Sequence, residues 1–340
     1  MRSRAAAVVT AVAGVLAVLN VSVWLAGASP ARVFGLIVAG TLGSGYGAGQ
    51  SLAKATALVW TGAAVAVALR AGLFNIGAEG QAMTGILCAA VAGAALPVGT
   101  PWMVAVPVAL AAAALGGAVL GGFAGWLRGR FGTHEVISTL MLNGLAAVAT
   151  TWLYSGPLRV GEQVHTRAVV AGARLPLAGT VIPSLRGAGL NASFVLAVAA
   201  AFGVEYWLGH SRRGLAIRAL GSSQGAAEAL GVPTAATITR TMAISGGLAG
   251  LVGAHYVLGV KGFAEQGMGA GVGFVGIAVA LLGNLRPVGI VLAAVLFGAL
   301  AQGGLAVNAI VPADVLAVAQ AATIVAVAAL GGAALRARRT

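Results

Sequence analysis

Gly72-Leu73-Phe74-Asn75-Ile76-Gly77-Ala78-Glu79-Gly80-Gln81 is a short polar run enclosed by apolar sequence on both sides. The flanking stretches, residues 51–71 and 80–97, are each long enough to cross a bilayer as a helix, which takes roughly 17–25 apolar residues. A carboxylate at the membrane centre costs about 2.5–3.5 kcal/mol on insertion scales, so Glu79 in such company has a use. Gly72, Gly77 and Gly80 permit a break in helical geometry. Broken helices are tolerated at membrane depth where they line a cavity, and their freed backbone groups can contact a solute. Asn75, Glu79 and Gln81 supply donors and acceptors suited to hydroxyls or the edge of a base. Phe74 can stack on a ring or close the path. The alternative is that Glu79 pairs with an arginine such as Arg70 and braces the fold; the sequence leaves both readings open.

The composition around this run fixes the class. Hydrophobic residues make up 59% of the 340 residues and charged residues 8%, against about 25% charged in soluble domains. That excludes a soluble fold and implies many spans. The net charge is +13, and all but Lys54 and Lys261 of the 20 basic residues are arginine. They fall mostly at the ends of apolar runs, so the excess reads as positive-inside topology rather than as a nucleic-acid surface. The single Cys88 allows no disulfide within the chain, and no zinc or haem spacing occurs. The start, Met1-Arg2-Ser3-Arg4 and an apolar run over 5–27, is longer than the roughly 7–15 residues of a secretory h-region and reads as an uncleaved span.

The fold class is therefore all-α, a polytopic membrane protein of about 10 transmembrane helices forming one domain over residues 1–340. The spans read as about 5–27, 51–71, 80–97, 102–127, 135–154, 190–209, 240–260, 268–283, 288–307 and 313–334, with a glycine-rich segment from Gly40 to Gly49 packed at the outer face. Arg128-Gly129-Arg130, Arg212-Arg213 and Arg336-Ala337-Arg338-Arg339 fall inside, and the even count places both termini in the cytoplasm. Residues 155–188, with Arg159, Arg167, Arg174 and Arg186, form an external loop and are the exception to the rule. The span at 268–283 is short and glycine-rich and reads as broken or re-entrant. Gly117 and Gly121, Gly246 and Gly250, and Gly269 and Gly273 have the spacing that lets helices approach closely. His134-Glu135 opens the fifth span, with Glu135 complementing the helix dipole and Thr133 placed to cap it. Asn143, two turns further in, is polar at membrane depth and faces other helices or the path. His255 reads as an interhelical hydrogen bond, and Asn284-Leu285-Arg286-Pro287 as a cytoplasmic turn anchored by Arg286.

Residues 210–240, HSRRGLAIRALGSSQGAAEALGVPTAATITR, leave the membrane. Gln224 to Leu230 has the spacing of a short amphipathic helix, stopped by Gly231-Val232-Pro233. Arg218-Ala219-Leu220-Gly221, then Ala226-Ala227 and Leu230-Gly231-Val232, resembles the coupling-helix region of bacterial ABC-importer permeases, in the branch serving branched-chain amino acids, simple sugars and nucleosides. The runs Gly72 to Gln81, Glu135 to Asn143, and Gly273 to Asn284 followed by Pro287 and Gly289 are similar to signatures of its nucleoside and simple-sugar members. The resemblance covers about residues 50–335. It implies an importer of nucleosides or a related sugar-containing solute, with Phe74, Asn75, Glu79, Gln81 and Asn143 along the path. It further implies that Arg218, Gly221, Ala226, Ala227, Glu228, Leu230 and Gly231 couple to an ATPase. The implied partners are cytoplasmic ATPase subunits holding ATP and Mg, a second permease subunit, identical or homologous, an external substrate-binding lipoprotein, and membrane lipid; no cofactor sits on this chain and no nucleic-acid polymer binds it. The implied location is the bacterial inner membrane. The family commonly carries Asn-Pro before the paired alanines, where this chain has Ser222-Ser223-Gln224. No G-x-x-x-x-G-K-S/T occurs, so ATP belongs to the partner. A stand-alone ion-coupled carrier is the alternative, but it usually shows more buried acids than the single Glu79. A membrane enzyme needs convergent nucleophile, base or metal ligands, and none appears in the sequence.

Overall fold

The computed structural model describes residues 27–308 continuously, together with residues 17, 20, 21, 23–25, 310 and 311. The first expected span, 5–27, lies mostly outside the described residues, and the last, 313–334, wholly outside them. The rest is helical: α1 (Pro30–Leu42), α2 (Gly45–Arg70), α3 (Ala78–Ala95), α4 (Trp102–Phe131), α5 (Glu135–Ser155), α6 (Ser193–His210), α7 (Arg212–Ser222), α8 (Gln224–Ala229), α9 (Thr234–Gly250), α10 (Val272–Leu282) and α11 (Pro287–Val307). A π-helical turn, Ala254–Lys261, prolongs α9. Among the described residues, six helices are long and apolar enough to cross a membrane: α2, α4, α5, α6, α9 with its π-turn, and α11. The all-α polytopic class holds, whereas the count of about 10 is not reached among the described residues.

α2 is the centre of the bundle, packed by α11, α10, α9 and α6. Small residues make this possible; a Cβ on Gly62, for example, would press on Val279 and Ile290. α4 and α9 cross most closely. Gly117 and Gly121 face Gly246 and Gly250 there, and a Cβ on any of the four would run into the opposite backbone. The third expected pair behaves differently. Gly262, Gly267, Gly269 and Gly271 all have left-handed backbone, so residues 262–271 are unwound and Gly269 lies in no helix. α10 follows this break with 11 residues. At 1.5 Å per residue it is about 16 Å long, half of a roughly 30 Å hydrocarbon core, which makes it the expected broken segment rather than a crossing.

Two boundaries differ from the sequence reading. Residues 30–42 form a helix, started by Pro30 at its first position, and α2 begins at Gly45 rather than at 51. The glycines between 40 and 49, expected as a packed segment outside the spans, lie within or between these two helices and serve their contacts: a Cβ on Gly47 would strike the Gly40 carbonyl, and one on Gly40 would strike Ala306. α3 exists as read, but its polar first turn keeps it out of the six.

Arg70, Glu205 and Leu285 meet at one end of the bundle: Arg70 Nη2 lies 2.6 Å from Glu205 Oε2 and donates to the Leu285 carbonyl at 2.9 Å. Asn284 and Leu285 are in left-handed conformation, which turns the chain from α10 into α11 and precedes Arg286. At the opposite end, the loop after α5 is rooted in the bundle. The N–H groups of Thr166, Val169 and Leu175 donate to the carbonyls of Ala264, Gly262 and Leu258. Arg174, which broke the positive-inside pattern, donates to the Val260 carbonyl and so closes the end of the π-turn.

Candidate functional site

α2 ends where Gly72 takes a left-handed conformation, and α3 starts at Ala78. The polar side chains of this break close on one another. Asn75 Nδ2 donates to Gln81 Oε1 and to Ser245 Oγ, both at 2.8 Å, and Gln81 Nε2 donates back to Asn75 Oδ1 at 3.1 Å. The Ser245 hydroxyl of α9 in turn donates to the Ala64 carbonyl at 2.6 Å. Asn143 of α5 takes up the backbone groups the break releases. Its Oδ1 accepts from Gly80 N–H at 2.9 Å, and its Nδ2 donates to the Ile76 carbonyl at 3.0 Å. Asn75, Gln81 and Asn143 are all buried, and Asn143 stands about 12 Å along α5 from its start.

Glu79 does not meet Arg70, whose partner is Glu205. Its two oxygens accept from the N–H groups of Gly271 and Gly273 at 2.6 and 2.8 Å. Glu79 therefore caps α10 from another helix: the carboxylate lies on the unsatisfied donors, at the positive end of the helix dipole. Phe74 is half-buried, and its N–H donates to Glu135 Oε1 at 3.4 Å. Glu135 also approaches Arg128 at 3.5 Å, so it ties the break to the turn between α4 and α5. The expected Thr133 cap is absent. His134 is the N-cap residue without a side-chain cap bond, and the Thr133 carbonyl accepts from Arg128 instead. His255 shares a hydrogen bond with Asn191 at 3.0 Å, so it joins the π-turn to the segment that leads into α6 rather than to another helix.

The structure thus gathers Asn75, Gln81 and Asn143 into one closed polar level, with Glu79 beside it. Ser245 belongs to that level and was missed; its only signal was a small polar residue inside the apolar α9. Double replacement of Asn75 and Gln81 tests the interlock. The coupling energy in an Asn75→Ala/Gln81→Ala cycle is expected at about 1 kcal/mol or more in unfolding measurements.

The exposed segment forms two helices where one was expected. Ser211 and Ser223 cap α7 and α8 by accepting from Gly214 and Ala226 N–H. Ser223 thus starts α8 in the stretch where the family commonly has Asn-Pro. Gly221 lies directly on α2: a Cβ there would strike the Arg70 carbonyl and Ala71, and Gly72 faces Gly221 in return. Arg218 Nη1 is buried without a hydrogen bond among the described residues. Ala227 is fully buried, whereas Ala226 is exposed and Leu230 is 79% exposed. Gly231, left-handed, ends α8. Glu228 accepts from Gln224 Nε2 and Thr234 Oγ1, both at 3.0 Å, and these bonds hold its carboxyl below the usual carboxylate range. The folded value lies below the unfolded one, so the contribution is present at neutral pH and is lost as pH falls through the depressed value. Amide exchange of residues 224–234 is expected to speed up only below that range, and Glu228→Gln is expected to remove the pH dependence.

No group of three or more His, Cys, Asp or Glu capable of holding a metal occurs among the described residues. Residues 47–330 match the model of a family described as branched-chain amino acid transport system / permease component. The chain is 36% identical over 286 residues to the guanosine ABC transporter permease protein NupP of Bacillus subtilis, covering 83% of this chain and 80% of that one. It is 32% identical over 326 residues to a glucose ABC transporter permease protein of Haloferax volcanii, covering 93% and 85%. It is 31% identical over 289 residues to the nucleoside ABC transporter permease protein NupB of Lactococcus lactis, covering 83% and 79%. No solved structure matches.

Proposed function

The chain belongs to the family of branched-chain amino acid transport system permease components and is an ABC transporter permease, a transport subunit and not an enzyme; from that premise we propose that it carries nucleosides, or a related sugar-containing solute, into the cell. The guanosine, nucleoside and glucose systems of its relatives support this substrate class. So does the amide-rich level at Asn75, Gln81 and Asn143, whose donors and acceptors match hydroxyls and base edges once released from one another. Such a permease works with ATPase and binding-protein partners. In the proposed assembly this chain pairs with a second permease, identical or homologous, on two cytoplasmic ATPases that hold ATP and Mg, beneath an external substrate-binding lipoprotein. The chain is a multi-pass membrane protein. In the proposed topology the membrane is the inner one, and the excess of arginine at the ends of apolar runs supports both termini on the cytoplasmic side.

The observation that carries the mechanism is the seat of Gly221 on Arg70, Ala71 and Gly72. A push by the closing ATPase pair on residues 214–232 reaches the start of the helix break with no intervening side chain. Asn75 follows three residues later, so movement of the break loads the Asn75–Gln81 interlock and the Asn143 bonds. Phe74, Asn75, Glu79, Gln81 and Asn143 thus act as wall and gate, with Glu79 holding α10 in place. Arg218, Gly221, Ala226, Ala227, Glu228, Leu230 and Gly231 form or shape the surface that takes the push.

Leu230→Glu on the exposed face is expected to reduce uptake and binding-protein-stimulated ATP hydrolysis about tenfold. Unchanged co-purification and coupling in this variant would place the ATPase contact elsewhere. Uptake driven by an ion gradient without ATPase subunits would favour the stand-alone carrier.

A further inference from the structure

Above the closed polar level, toward the loop that follows α5, lies a cavity of about 190 Å³. Its walls are Met83 of α3, a strip of α5 from Ala147 to Tyr154, and residues 265–268 of the unwound segment. Asn143, Ala147, Thr150, Thr151 and Tyr154 recur at helical spacing along one side of α5. Gly80, bonded to Asn143, is one turn before Met83 on α3. The cavity and the closed level are therefore consecutive storeys of one column.

Resting on the transport reading above, we propose that this cavity is the seat of the solute within the membrane domain, and that it takes an uncharged solute by one hydroxyl-bearing or heteroatom-bearing ring. Three observations carry the proposal. First, polar groups are left open around the space. The Thr151 hydroxyl, the Tyr154 phenol and the Gln266 amide make no hydrogen bond among the described residues, although Tyr154 is only 4% exposed. Thr150, by contrast, is bonded to the Ala146 carbonyl at 2.7 Å. Gln266 is exposed, Thr151 is half-buried and the Tyr154 oxygen reaches open space, so the three present unused donors and acceptors to whatever enters. Second, Met83, Met268 and the Tyr154 ring give polarisable faces for a ring to lie on. A dry cavity of about 150 Å³ admits benzene, so this one seats a ring, with the rest of the solute toward the open side. Third, the lining offers no free charge. Glu265, the single ionisable carboxylate in the lining, is ion-paired with Lys261. A nucleoside or a hexose fits this description and a phosphorylated solute does not. The wall is also fixed from outside: Thr166 and Ala264 bond in both directions, holding the unwound segment to the outer loop.

The test uses the whole transporter, with its permease partner, ATPases and binding protein, in vesicles and in a Cys88→Ala background. Thr151→Cys is alkylated with a small water-soluble maleimide, using guanosine, guanosine monophosphate and glucose as probes. The neutral solute that the wild type takes up is expected to slow alkylation about tenfold at saturating concentration, and the monophosphate to have no effect. Thr151→Val is expected to lower maximal uptake about tenfold and Thr151→Ser to stay within about twofold, both compared at equal complex yield. An unreactive Thr151→Cys in an active transporter, alkylation indifferent to the neutral probes, or equal protection by the monophosphate would each overturn the proposal. A wild type that takes up neither neutral probe on ATP refutes the substrate reading instead, while protection by either probe still decides the cavity.

Discussion

Glu79→Ala is expected to destabilise the permease by about 3 kcal/mol or more, because hydrogen bonds to a charged group contribute about 1.5–3 kcal/mol each and two are removed together. The N–H groups of Gly271 and Gly273 would be left buried at the start of α10, with the dipole of that helix uncompensated. Glu79→Gln keeps the shape and one acceptor, so about half of the loss is expected. Gly273→Ala approaches the same contact from the other side, since its Cβ would run into the Glu79 backbone. It is expected to match Glu79→Ala in direction. Arg70→Ala is the contrast: its ion pair with Glu205 is partly exposed, and such pairs are worth about 0–1 kcal/mol. Chemical unfolding of the purified complex in detergent checks all four. A Glu79→Ala protein as stable as wild type but impaired in uptake would mean that the carboxylate meets solute and that the cap is incidental.

This outcome bears on what could be read in the chain beforehand. The insertion cost of Glu79 marked the residue as used, and the glycines around 267–273 marked a break. What joined them was invisible, because the partners are backbone N–H groups nearly 200 positions away, and backbone donors have no letter in a sequence. Arg70 looked like the natural counter-charge because side chains are the only charges a sequence displays. The same limit hid the seat of Gly221, a contact made by the lack of a side chain. Helical spacing of glycines did mark Gly117–Gly121 and Gly246–Gly250 as sites of close approach, since that follows from periodicity, but not that the two pairs face each other. At Gly40–Gly49 the same glycines showed a packed segment but not that two helices run through it. Arg174 counted against the topology only while its role was electrostatic; as a donor to the Val260 carbonyl it has a structural reason to lie on that side.

Gly221→Val is expected to leave the ATPase bound and to lower solute uptake at least about tenfold, since overpacking of this size costs about 1–3 kcal/mol, enough to shift α7 without unfolding the bundle. The new Cβ would strike the Arg70 carbonyl and the Ala71 backbone, and neither can swing aside as a side chain would. Gly72→Ala meets the contact from α2, with the added strain of a left-handed backbone at that position, and is expected to give the same phenotype. Gly203→Ala is the control, because nothing lies within 4 Å of a Cβ there. Uptake and binding-protein-stimulated ATP hydrolysis are measured on the same vesicles; normal values of both for Gly221→Val would sink the relay. The contact also predicts the sense of the coupling. No hydrogen bond or ion pair among the described residues joins Gly221 to Gly72, so the two backbones can push but not pull. The power stroke therefore acts on the break by compression. The return depends on bonds within the membrane domain itself: Arg70 with Glu205 and Leu285, and the amides of Asn75, Gln81 and Asn143 closing again on one another.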